Sequence, residues 1–158
     1  MKIIGDFKTS LKKALKEIDP KWESYNGLII AGSWPGENDP DLVFEAINVF
    51  KEYESKGLPV LGICFGHQIV ALAHGEELEK LDKLKVGVFE TGYLWGFEWV
   101  KSKESFWHQY KVGGKYGDLY ENDNVITTQF HPEYQSSKKN PHYVLIKFLK
   151  LCKKVHIK

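Results

Sequence analysis

The sequence predicts an open α/β fold: a mainly parallel sheet between two layers of helices, three layers in all, with antiparallel additions late in the chain. Three observations carry that expectation. Short apolar runs such as Leu28-Ile29-Ile30-Ala31 mark strands covered on both faces. Helical patterns alternate with those runs through the first half, as they do where strands run parallel. The 158 residues suffice for a sizeable core and are expected to form one domain, 1–158.

Lys2 to Gly5 reads as the first short strand, and Thr9-Ser10 as the cap of a helix over Leu11 to Ile18, ended by Pro20. The strand Leu28 to Ala31 stops at the turn-rich Gly32-Ser33-Trp34-Pro35-Gly36. Asp39-Pro40 opens a second helix, with Val43, Ile47 and Phe50 on one face and Gly57 at its close. Pro59 to Ile63 is the next strand, and a third helix runs from Phe65 to about His74. Beyond Lys80 the texture changes. Lys85–Thr91, Trp95–Lys101, Ser105–Val112 and Val125–Phe130 all read as strands separated in part by glycine turns, at least two of them antiparallel additions to the sheet. A last helix from about Pro141 to Lys154 places Leu145, Phe148, Leu149 and Cys152 on one stripe, which assigns Cys152 to the core.

Composition excludes several classes. The 22 basic and 21 acidic residues nearly cancel, so neither nucleic acid nor an anionic membrane is expected as the main partner. Every basic residue is lysine, so carboxylate recognition must proceed without a guanidinium fork. Two cysteines make no disulfide framework, and no apolar run reads as a signal peptide or a membrane span. A soluble protein of a reducing compartment, the cytoplasm, is the expectation.

The chemistry concentrates at Leu61-Gly62-Ile63-Cys64-Phe65-Gly66-His67-Gln68. One cysteine stands between two glycines, straight after an apolar strand and at the start of a helix. A fold presents a nucleophile in this way, at the tip of a sharp strand-to-helix turn. The glycines allow unusual φ values or close approach. Unpaired N–H groups at a helix start favour thiolate over thiol. A buried structural cysteine is the ordinary alternative, and the flanking glycines weigh against it.

Thr127-Thr128-Gln129-Phe130-His131-Pro132-Glu133-Tyr134 places a histidine just past a strand end, with a carboxylate two residues on. Functional groups of α/β sheets gather at the carboxyl ends of strands, where Cys64 also sits. A cysteine needs a base, and the base a group to orient it; Cys64, His131 and Glu133 supply that set. His67 reads as a packed or hydrogen-bonded helix residue, and His74 as a cation at that helix's end. Zinc-ligand spacing is lacking, so neither metal nor cofactor is expected.

On these residues the chain resembles the class I (triad) glutamine amidotransferases, whose motifs are Gly-x-Cys-x-Gly-x-Gln and His-Pro-Glu. It is most similar to the branch containing the glutaminase domain of CTP synthase and its stand-alone relatives. Gln129 to Lys150 looks like the end of that domain. Trp107-His108-Gln109-Tyr110-Lys111-Val112 is similar to its Arg-His-Arg-Tyr-Glu-Val segment, and Ala31-Gly32-Ser33 to the Pro-Gly-Ser turn of the stand-alone relatives. The resemblance implies a flavodoxin-like fold and hydrolysis of the glutamine side-chain amide through a Cys64 thioester. It further implies that His131 moves protons, Glu133 orients His131, and backbone N–H groups of Gly32, Ser33 and Phe65 form the oxyanion hole. Gln68, Gln109 and Tyr110 would hold the substrate.

Departures accompany the likeness. Gln109 stands where the family has an arginine, and Ser33 where many relatives have a second oxyanion-turn glycine. The stretch between His74 and Lys101 is shortened, and the family's acidic substrate contact has no clear counterpart there, with Glu77 and Glu90 as unaligned candidates. No synthetase half accompanies the domain, so ammonia would pass to a separate acceptor protein. Open strand edges also allow a homodimer. A γ-glutamyl peptidase, or a catalytically weak binding or regulatory module on the same fold, are the alternatives. Trp34 and Trp107 fall near the site as wall or partner surface.

Overall fold

A computed structural model describes residues 1–33 and 39–157; Trp34, Pro35 and Gly36 of the expected turn lie outside the described residues. The elements are β1 (Lys2–Ile4), α1 (Thr9–Ile18), β2 (Leu28–Ile30), α2 (Pro40–Ser55), β3 (Val60–Ile63) and α3 (Phe65–Ala73). They continue with β4 (Glu79–Trp95), β5 (Glu98–Lys111), β6 (Leu119–Asn122), β7 (Val125–Thr128) and α4 (Tyr143–Ile157), with short 3₁₀ turns at Trp22–Ser24 and Pro132–Gln135. Five strands form one sheet in the order β1-β2-β3-β7-β6, and β4 pairs with β5 in a separate ribbon. The first four strands run parallel and β6 is antiparallel to β7.

Each central strand feeds two cores by simple alternation. Ile29 and Leu61 point to one side, joining Leu11 and Leu15 of α1 and Leu145, Phe148 and Cys152 of α4. Leu28, Ile30 and Val60 point to the other, joining Ala46 and Phe50 of α2 and Ile69 and Val70 of α3. Leu28, Ile29 and Ile30 are all fully buried, which explains the unbroken apolar run. The local signals at α2 act as read: Asp39 accepts from the N–H groups of Asp41 and Leu42 at 3.0 and 3.4 Å, and Pro40 occupies the first turn. Gly57 follows the helix with φ +66°.

Several expectations need correction. Thr9 and Ser10 lie inside α1, and neither caps it; Lys8 holds the cap position without a side-chain bond. The segments Lys85–Thr91, Trp95–Lys101 and Ser105–Val112 are not separate strands added to the main sheet but parts of the long β4–β5 hairpin. Only Gly96, with φ +63°, turns the chain; Gly92 stays inside β4 because the Trp99 ring lies over it, 2.6 Å from where a Cβ would stand. The antiparallel addition is β6, a four-residue strand with one buried apolar side chain. His74 caps the end of α3 as expected, and its ring also lies between Tyr116 Oη at 2.7 Å and Glu54 Oε2 at 2.8 Å.

The ribbon's inner face sends Tyr93 and Phe106 into the core against Phe130. Its outer face leaves Val86, Val88, Leu94 and Trp99 exposed. Buried Glu104 accepts from His142 Nε2 at 2.8 Å, while His142 Nδ1 accepts from the Val144 N–H at 3.2 Å. This pair ties β5 to the start of α4.

His67 fastens α3 to the sheet. It is fully buried, with Nε2 2.9 Å from the Gly117 carbonyl, to which it donates, leaving Nδ1 to accept from Thr127 Oγ1 at 2.8 Å. Burial pushes its imidazole down to about 4. The unfolded chain takes up that proton near pH 6.5, so it binds more protons than the folded chain below that pH. Stability is therefore expected to fall as pH drops from about 6.5 towards 4. Urea midpoints across that window should fall more steeply for wild type than for His67→Gln; equal slopes would place the acid loss elsewhere.

Candidate active site

Cys64 follows β3 and precedes α3, with φ 55° and ψ −96°. A non-glycine residue at such angles stores strain of about 1–3 kcal/mol and persists only where its surroundings hold it. The surroundings here are close. The Cys64 N–H donates to the Thr128 carbonyl at 2.7 Å, which ties the turn to β7. A Cβ on Gly66 would lie 2.1 Å from the Ile30 carbonyl oxygen, and one on Gly62 2.7 Å from the Gly66 backbone. Both glycines are thus required by space rather than by φ.

His131 arrives from the neighbouring strand end. β3 pairs with β7 in parallel up to Ile63↔Thr128, so residues just past both strands emerge at one edge. The His131 N–H donates to the Ser105 carbonyl of β5 at 2.7 Å. Its Nδ1 lies 3.3 Å from Glu133 Oε2, and both side chains are almost wholly buried. Nε2 is buried with no partner in hydrogen-bonding geometry. Burial pushes this imidazole down, but the neighbouring Cys64 sulfur and the Glu133 carboxylate together outweigh it and lift it to about 10. The ring is set to hold a proton.

Gly32 and Ser33 follow β2, the strand on the other side of β3. The Gly32 carbonyl accepts from the N–H groups of Asp6 and Phe7 at 3.0 Å each, and Ser33 Oγ donates to Asp6 Oδ2 at 2.6 Å. A side chain at Gly32 would strike the His131 ring at 2.7 Å and Phe7 at 2.8 Å, so this turn and the imidazole are in close contact. Phe65 is the first residue of α3.

β5 crosses the same edge. Cys64 Sγ donates to the Trp107 carbonyl at 3.3 Å, and Gln68 Nε2 donates to the Tyr110 carbonyl at 2.8 Å. Trp107 stacks on Phe7 at 5.3 Å between ring centroids. Under this cover Cys64 is 3% exposed. Tyr110 thus reaches Gln68 through its backbone, and Gln109 is its neighbour on β5. Glu90 pairs in register with Lys103 on the ribbon, and Glu77 is exposed.

Three residues at this edge of the sheet were absent from the sequence-based set. Gln129 Nε2 lies 3.8 Å from Cys64 Sγ. His108 is buried, with Nδ1 on the Tyr110 carbonyl at 2.7 Å, and burial lowers its pKa. Phe7 packs against Trp107 and the His131 ring. Gln129 and His108 stand inside the motifs already quoted, whereas nothing local marks Phe7. Among the described residues no group of three or more His, Cys, Asp and Glu side chains could hold a metal ion, and no helix is long and apolar enough to cross a membrane.

A cysteine on a strained strand-to-helix turn, at the carboxyl edge of a parallel sheet, places the chain among α/β proteins that display a nucleophile at an elbow. The profile of glutamine amidotransferase class-I matches residues 6–112, and the chain belongs to that family. The matched span contains Cys64 and ends before His131 and Glu133. The chain is 30% identical over 141 residues to the carbamoyl phosphate synthase small chain of Sulfurisphaera tokodaii, covering 78% of this chain and 37% of that one. The Sulfolobus acidocaldarius small chain is 29% identical over 135 residues, covering 73% and 36%. The chain thus spans little more than a third of these relatives' length. In fold it is similar to the glutaminase domain of Trypanosoma brucei CTP synthase with bound acivicin, with TM-score 0.71, 12% identity and coverage of 97% of this chain and 93% of that one. A glutamine amidotransferase from Thermotoga maritima superposes with TM-score 0.65 at 12% identity, covering 98% and 94%. These likenesses bear out the flavodoxin-like architecture.

Proposed function

We propose that this domain, 1–158, hydrolyses the side-chain amide of glutamine and hands the ammonia to a separate synthase. The observation that carries the reading is the position of Cys64, His131 and Glu133 at adjacent strand ends, with the imidazole set to hold a proton. The Cys64 thiol gives its proton to His131, and the thiolate attacks the amide carbon, forming the C–S bond and, as the C=O π bond opens, a tetrahedral oxyanion. Backbone N–H groups of Phe65 and of the Gly32-Ser33 turn receive that oxyanion, and losing one such donor typically costs about 2.7–4 kcal/mol. The C–N bond then breaks as His131 gives its proton to the departing nitrogen, leaving a thioester and ammonia. Neutral His131 next takes a proton from water, whose oxygen attacks the thioester carbonyl. The C–S bond breaks, and glutamate leaves. Glu133 fixes the ring through Nδ1 at 3.3 Å and so directs Nε2 to the reaction. Gln68, Gln109 and Tyr110 are the substrate-holding set, with no guanidinium for the α-carboxylate.

The small-chain relatives support a separate acceptor, because a small chain of carbamoyl phosphate synthase is by its name one part of that synthase. One observation favours the weak-module alternative: β5 covers the sulfur and occupies Gln68, so glutamine enters only after β5 shifts. Ammonia release separates the readings. We expect ammonia and glutamate in equal amounts, increased by a synthase partner, and labelling of Cys64 by a diazo-ketone glutamine analogue. No release and no label under either condition would leave the binding module; turnover confined to γ-glutamyl peptides would make the protein a peptidase.

A further inference from the structure

Cys64 sulfur sits between two groups that favour opposite protonation states. The Trp107 carbonyl, 3.3 Å away, accepts from the thiol and stabilises S–H. Once the proton has gone, sulfur and carbonyl become two facing acceptors, and that contact turns unfavourable. Gln129 Nε2, at 3.8 Å, does the reverse: it donates to sulfur and gains strength when the sulfur is charged. The carboxamide has little freedom. Gln129 is 1% exposed, and its backbone N–H is fixed on the Asp118 carbonyl at 2.9 Å. Its Oε1 is buried without a partner, a cost that an apolar side chain in the same space would avoid. Stability therefore gives no reason for a carboxamide here, whereas a charged sulfur does.

We infer that Gln129 is a positioning residue that holds and aims the Cys64 sulfur in its thiolate form, complementing His131 from two residues earlier in the same segment. The inference rests on the reading of Cys64 as the nucleophile. The carboxamide keeps its donor on the sulfur while β5 moves, because it belongs to the end of β7 and not to the covering strand. When the Trp107 carbonyl withdraws to admit substrate, Gln129 remains as the donor to the ionised sulfur, beside the charged His131 ring.

The test is the thiolate's ultraviolet absorbance, followed from about pH 4 to pH 10 in wild type, Gln129→Leu and Gln129→Glu, with Cys64→Ser as background. Cys152 is silent in this window because burial pushes its thiol up to about 12. The other titratable groups around the sulfur are His131, Glu133 and Tyr134 after β7, His108 on β5, His67 on α3 and Asp6 beside Ser33; all are retained in each variant. We expect the thiolate midpoint to rise by about one pH unit in Gln129→Leu, a roughly tenfold loss of ionisation, and by more in Gln129→Glu, whose carboxylate repels the sulfur. Gln129→Asn keeps the amide but withdraws it by one methylene. It should behave like the leucine variant, and it serves if leucine fails to fold. Midpoints matching wild type in folded variants overturn the inference. A shifted midpoint in a protein that never hydrolyses glutamine would sink the proposed reaction and leave the positioning role standing; full turnover with an unmoved midpoint would do the opposite.

Discussion

Cys64→Ser is expected to release ammonia from glutamine at least about a thousandfold more slowly than wild type, on the pattern of nucleophile removals in enzymes whose groups act as a unit. The reason lies in the pairing with His131. The sulfur and Glu133 together raise that imidazole to about 10, so the ring holds a proton and takes up another group's proton poorly. Serine needs a base to remove its proton in the attack, whereas cysteine is able to enter the reaction already ionised. The substitution therefore loses the better nucleophile and meets a ring whose remaining partner, Glu133, still favours its charged form. Ammonia assay and mass analysis after treatment with the diazo-ketone analogue read the result. Activity of the serine variant within tenfold of wild type would remove Cys64 from the reaction. Cys152→Ser offers the contrast: Cys152 is fully buried in the α1–α4 core, so its loss should lower stability and leave turnover in place.

Gly66→Ala carries the largest expected cost to the fold. The added Cβ would lie 2.1 Å from the Ile30 carbonyl oxygen and 2.9 Å from the Ile30 Cβ. Backbone cannot swing aside as a flexible side chain does, so α3 has to retreat from β2. Alanine is favoured over glycine within a helix by about 1 kcal/mol. Overpacking of this severity reverses that gain, with a net loss of about 3 kcal/mol or more. Urea unfolding measures it, and a loss below about 1 kcal/mol would mean that α3 does not start against β2 as described. The retreat also displaces Cys64, two residues earlier, so activity should fall in whatever fraction remains folded.

The parts legible in the sequence are those whose signals are local. The run Leu28-Ile29-Ile30, the Asp39-Pro40 start of α2 and the elbow between Gly62 and Gly66 each announce themselves within a few residues. So do the motifs around Cys64, His131 and Glu133. The ribbon does not. Gly92 looks like a break, yet the hairpin accepts it: the residue is roofed by Trp99, and only the pairing register reveals it. Ser102 and Glu104 look like turn residues, but their partners, Tyr93 Oη and His142, lie elsewhere in the chain. β6 is too short to show a pattern. Within the site, the cover over the sulfur depends on where β5 crosses the sheet edge, which no spacing in the sequence specifies. The same holds for Phe7, brought to Trp107 by the β1–α1 connection.

The sulfur and the imidazole leave the sheet from two strands bonded directly to one another, with Gly62 opposite Thr127 and Ile63 opposite Thr128. The ladder fixes the two strands about 4.7–4.9 Å apart, and His131, three residues past Thr128, is held by its N–H on the Ser105 carbonyl. Interior packing and the geometry of this edge are therefore coupled: a methyl group removed from the fully buried Ile126 costs about 0.5–1.5 kcal/mol and loosens the strand that leads to His131.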